Sequence, residues 1–136
     1  MKRYYCFCIV LLISCTATKL YAQQKFTGTF SNGYKGCKLS FELSADKRSI
    51  SNFTFIGYWR CSGSTESITA GPKRSFPVIN GKVDAVIMDP EKGGSSAFRF
   101  KLNGTVIGNS ASGTFRMSIT GLSCDTYELK WTAAAK

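Results

Sequence analysis

Histidine is absent from all 136 residues. That removes the Ser-His-Asp and Cys-His routes to a nucleophile and the commonest metal ligand. Acidic residues are few, eight against 18 lysines and arginines, so a pair of carboxylates facing each other across a cleft is hard to assemble. Glycoside hydrolysis needs such a pair at a set separation. Here Glu42 and Glu128 alternate with apolar residues and so face solvent, while Asp89-Pro90 reads as the start of a turn. The stretch "DPEKGGSS" is a poor calcium loop because Lys92 interrupts it. No glycine-rich phosphate loop precedes a helix. Also lacking is any window of eleven or more residues with an apolar repeat at helical spacing. The sequence names no activity and reads as non-enzymatic, with no cofactor.

What is present begins with export. "MKRYYCFCIVLLISCTATKLYAQQ" places Lys2 and Arg3 before an apolar run over 4–14, followed by small and polar residues. This is the layout of a secretory signal peptide, and the run is too short to span a bilayer. Ala22 puts the cut before Gln23, and the ending "YAQQ" resembles exported proteins of Bacteroidetes-type bacteria. An alternative processing site is "LISC", which resembles a lipobox and would make Cys15 the lipidated first residue of an envelope lipoprotein with a structural role. Removing residues 1–22 leaves 114 residues, one domain with one core. Lys2, Arg3 and Lys19 leave with no acid, so the formal charge falls from +10 to +7.

The domain at 23–136 has strand periodicity throughout. Cys37, Leu39, Phe41 and Leu43 alternate with polar residues, as do Phe98, Phe100 and Leu102, then Phe115, Met117 and Ile119, then Tyr127, Leu129 and Trp131. Each set predicts a strand with one buried face. Further strands are expected near 49–60, 66–70, 75–79 and 82–88. A Gly108-Asn109 turn would set Phe100 opposite Met117 and Leu102 opposite Phe115, so turn chemistry and core matching agree. An Asn32-Gly33 turn would set Phe26 opposite Leu39 and Gly28 opposite Cys37. The expectation is an all-β domain, an antiparallel β-sandwich of eight or nine short strands, with a small β-barrel as the alternative.

With the leader gone, Cys37, Cys61 and Cys124 remain, enough for one bridge and one odd thiol in an oxidising compartment. Loop entropy does not choose, since a 61–124 bridge is worth about 4 kcal/mol and a 37–61 bridge about 3.5. Position favours Cys61–Cys124, because both lie at strand ends while Cys37 points inward as a small apolar thiol. With no histidine to activate it, and with burial raising its pKa, Cys37 is a poor nucleophile. "FTGTFSNG", the central cysteine, "SASGTF" and the terminal "CxxxxxxW" together resemble small exported bacterial β-domains of unassigned role. The resemblance covers most of 26–132. It supports the 61–124 bridge and implies no activity.

Two candidate surfaces remain. Phe53, Phe55 and Trp59 share one parity and read as core, whereas Tyr58 has the other and Tyr34 abuts a turn. Tyr34 and Tyr58 are therefore candidates for stacking on a sugar or peptide. Lys101 faces Arg116 in the second hairpin, and a loop pairing Ile119 with Tyr127 would add Lys130. Three like charges in a row predict either a solvated face or an anion-binding surface for an anionic glycan or another envelope component. Nucleic acid is not expected, for want of a basic-aromatic motif.

Overall fold

The computed structural model describes residues 22–136; the leader reading and the Cys15 alternative lie outside the described residues. Ten strands follow in order: β1 (Gln24–Phe30), β2 (Lys38–Leu43), β3 (Ser49–Cys61), β4 (Ser64–Ala70), β5 (Phe76–Pro77), β6 (Lys82–Asp89), β7 (Phe98–Ile107), β8 (Ser110–Ile119), β9 (Cys124–Asp125) and β10 (Leu129–Ala135). A single 3-10 turn at Thr120–Leu122 is the one helical element among the described residues.

The architecture is the barrel rather than the sandwich. β1, β2, β3, β9, β8 and β10 pair in a closed antiparallel circuit, with β4 and β5 on β3, β7 on β8, and β6 beyond β7. The seam explains why two sheets do not stay separate. β10 pairs with β8 through Leu129↔Phe115 and also with β1 through Phe30↔Trp131, joining the start of the chain to its end. This seam needs close approach. A Cβ on Gly28 would collide with the Thr132 carbonyl oxygen and crowd Ala133, so glycine is required there.

The β7–β8 hairpin has the expected register, with Phe100 facing Met117, Lys101 facing Arg116 and Leu102 facing Phe115. The β1–β2 hairpin does not. Phe26 faces Phe41 and Gly28 faces Leu39, a shift of two residues. Asn32 is drawn away from a tight turn: its Oδ1 accepts from the Lys130 amide at 2.6 Å, and its Nδ2 donates to the Glu128 carbonyl at 3.0 Å. The Ser31 amide also donates to the Lys130 carbonyl at 2.9 Å. A shift of two preserves the side-chain alternation, so the buried face survives the error. In β3 a bulge opposite Ser40 and Glu42, with Asn52 at φ 50°, resets the alternation. Ile50 and the Phe53–Phe55 pair consequently all point inward.

Phe115 lies amid the aromatic core, its ring 5.0 Å from Phe53, 5.4 Å from Phe55 and 6.3 Å from Phe30. Cys61 and Cys124 sit directly opposite each other on β3 and β9 and are disulfide-bonded. Cys37 is a buried free thiol just before β2, and a Cβ on Gly57 would run into its sulfur.

Candidate functional site

β3 is long enough to carry two neighbours on one edge. β4 covers Phe55–Cys61 along one side, so β2, which reaches Ile56, and β9, which begins at Arg60, must share the other. Between them Gly57, Tyr58 and Trp59 have no strand partner on that side. The β1–β2 loop and the β9–β10 link fold over this gap and leave a cleft of about 260 Å³. Its walls carry Tyr34, Tyr58, Arg60, Asp125, Tyr127 and Glu128, with Trp59 buried beneath them and stacked on Phe98.

The structure brings the two sequence candidates together. Tyr34 and Tyr58 meet edge to face, with centroids 5.8 Å apart at 64°, and are 44% and 42% exposed. Tyr34 is oriented by a 3.0 Å hydrogen bond between its hydroxyl and Thr65 Oγ1. Neither ring is spent on the core.

Tyr127 completes the set, and sequence reasoning misplaced it. Alternation with Leu129 and Trp131 predicts a buried strand residue, yet Tyr127 precedes β10 and is 59% exposed. Its φ is 55°, in the left-handed region that a bulky side chain enters only at a cost of about 1–2 kcal/mol. Asp125 Oδ1 holds this bend by accepting from the Tyr127 amide at 2.7 Å. The one available signal was "CDTY", an aspartate two residues before the bend, which is an Asx-turn pattern.

Asp125 has a second role. The Arg116 guanidinium binds both its carboxylate oxygens through Nε and Nη2. This hydrogen bonding raises the Arg116 pKa above its ordinary value, chiefly through the Asp125 side chain, against partial desolvation. The pair is about half exposed at the arginine, so its net worth to stability is ~1 kcal/mol or less. Arg60 and Glu128, by contrast, have no ion-pair partner among the described residues.

The basic row loses one of its two pairings in the same geometry. Lys101 does face Arg116, but Lys130 faces Thr114, because the β8–β10 register lies two residues from the expected one. The cause is the β9–β10 link: Thr126 bonds Met117 through both its amide and its hydroxyl, so Ile119 pairs with Cys124 instead of Tyr127. Arg116 is satisfied by an acid, and Lys130 lies diagonal to it on the same face instead of directly opposite. Accordingly, Lys101→Ala and Lys130→Ala should each shorten retention on a heparin column by the same increment as Lys73→Ala on a distant loop. Retention lost disproportionately from the first two would restore an anion site.

The fold and this cleft define a small disulfide-closed β-barrel with a tyrosine-walled recess at one end. No family model matches the chain, and neither a curated protein nor a solved structure matches it.

Proposed function

We propose that this chain is an exported, non-enzymatic binding domain that holds a ligand or partner at the cell envelope through the tyrosine cleft. The observation that carries the reading is convergence. Tyr34, Tyr58 and Tyr127 come from three distant segments, stay exposed, and meet at one recess. Tyr127 keeps its place at the expense of backbone strain, and strained residues cluster where function requires them. The leader-like first 22 residues and the Cys61–Cys124 bridge agree with an oxidising destination. Chemistry on a substrate has little to work with here, since the cleft holds one carboxylate bound by arginine and one exposed glutamate.

The test combines processing and binding. The intact mass of protein recovered from the exporting cell should begin at Gln23, whereas diacylglyceryl on Cys15 would replace this reading with the anchored lipoprotein. On arrays of glycans and peptides, Tyr58→Ala should weaken the signals of the parent roughly tenfold and Tyr127→Gly should remove them. Tyr127→Gly is the sharper variant, because glycine adopts φ 55° freely and the melting temperature should hold or rise while binding disappears. Unchanged array profiles in both variants would sink the proposal.

A further inference from the structure

Three properties of the cleft restrict what it can hold. The first is charge. The chain as a whole carries a formal +10, yet the groups at the cleft cancel. Arg116 neutralises Asp125, and Arg60 is balanced by Glu128. An anionic ligand drawn toward the basic surface would find the Arg60 guanidinium offset by the Glu128 carboxylate of the same cleft, so the cleft itself adds no net attraction.

The second is backbone geometry. Extended peptides bind sheets by adding a strand to an open edge, which supplies their main-chain hydrogen bonds. Only Gly57–Trp59 is open here, and β2 and β9 close the gap at both ends on the same edge. Isolated hydrogen bonds can be made in that gap; an added strand cannot run through it.

The third is the kind of surface offered. Tyr34 and Tyr58 present two ring faces steeply inclined to each other, and each phenol joins an apolar face to a polar tip. The Asn32 amide is consumed on both sides by β10 and its approach, so it offers nothing to a ligand. What remains is a donor fork on Arg60 and an acceptor on Glu128, beside apolar ring faces. At about 260 Å³ the recess lies just below the roughly 300–1,000 Å³ usual for drug-sized ligands, which suits one or two rings rather than a threaded chain.

A molecule with an apolar C–H face, a periphery of hydroxyls that both donate and accept, and no charge fits all three restrictions. We propose that the tyrosine cleft binds the end of a neutral saccharide, with a pyranose ring stacked on Tyr58 or Tyr127 and its hydroxyls shared between Arg60 and Glu128. The inference rests on the binding reading above and is narrower than it.

Purified protein, labelled with nitrogen-15, would be titrated with neutral tetrasaccharides of glucose, xylose, mannose and N-acetylglucosamine. Tetragalacturonate and a tetra-alanine peptide serve as competitors of other chemistry. At least one neutral tetrasaccharide should shift the amides of Tyr34, Tyr58 and Tyr127, with a dissociation constant that barely changes between low and high salt. Tyr58→Ala should weaken it roughly tenfold, and Glu128→Gln should retain most of it because an amide still accepts. Shifts from tetragalacturonate that fade with salt, or from the peptide, with none from neutral sugars, overturn the saccharide while leaving a working binding cleft. No shift from any neutral sugar overturns it equally. Array binding that ignores the tyrosines would instead remove the cleft itself, and both proposals with it.

Discussion

Cys61→Ser and Cys124→Ser should each melt on the order of 10–20 °C below the parent, and the double variant no lower than either. Removing a native bridge from a small domain costs about 2–5 kcal/mol, out of a total that is itself about 5–15. Here the bond joins residues 63 apart in sequence, so much of its effect falls on the unfolded chain. It also holds β9, a two-residue strand, between β3 and β8, where hydrogen bonding alone gives little purchase. Both single variants delete the same bond, which is why the double should not add to them. Differential scanning calorimetry measures all three. In the parent, Cys37 should react with a thiol reagent only after unfolding, since it is buried. A mapped disulfide containing Cys37 would refute the assignment outright.

The second large effect belongs to Phe115→Ala, expected to cost about 3–5 kcal/mol by urea denaturation. Phe115 is 1% exposed and touches rings contributed by β1 and β3, so its removal opens a cavity that rigid strands cannot collapse into. Phe115→Leu should recover more than half of the loss by refilling most of the volume. Tyr58→Ala, on the outer face of β3, should stay within about 0.5 kcal/mol of the parent. A loss under about 1 kcal/mol for Phe115→Ala would mean that the aromatic cluster is not the centre of the core.

Local signals carried most of the fold. Period-two alternation identified the strands, and the β7–β8 register followed from a turn whose flanking residues also match in the core. Pairings set by distant contacts were not legible. The β1–β2 register depends on Asn32 finding backbone partners near residues 128–130, almost a hundred positions away. Barrel closure likewise depends on β1 meeting β10, and nothing in either strand read singly specifies the other. The bridge could be inferred because both cysteines end strands, a local property.

The candidate site was half legible for the same reason. Tyr58 stood out by parity and Tyr34 by proximity to a turn, but their adjacency comes from the loop that Asn32 redirects. Tyr127 was hidden by a false continuation of the β10 alternation, broken two residues early by the Asp125 bend. Lys130 and Arg116 were paired on that same false continuation, so one misread link both created the basic row and concealed the third tyrosine.

The seam between β1 and β10 has a consequence in time. β1 precedes β10 in the chain, so the edge of Gln24–Phe30 that β10 covers stays open until β10 has emerged into the folding compartment. Thr27 and Thr29 alternate with Phe26 and Gly28 along that strand, so the waiting segment is only half apolar and short. The final pairing places the Lys136 amide on the Lys25 carbonyl at 2.9 Å, a contact between residues more than a hundred positions apart. Closure of the barrel therefore waits for β10, and a chain interrupted before β10 carries an uncapped edge ready to pair with another copy of itself.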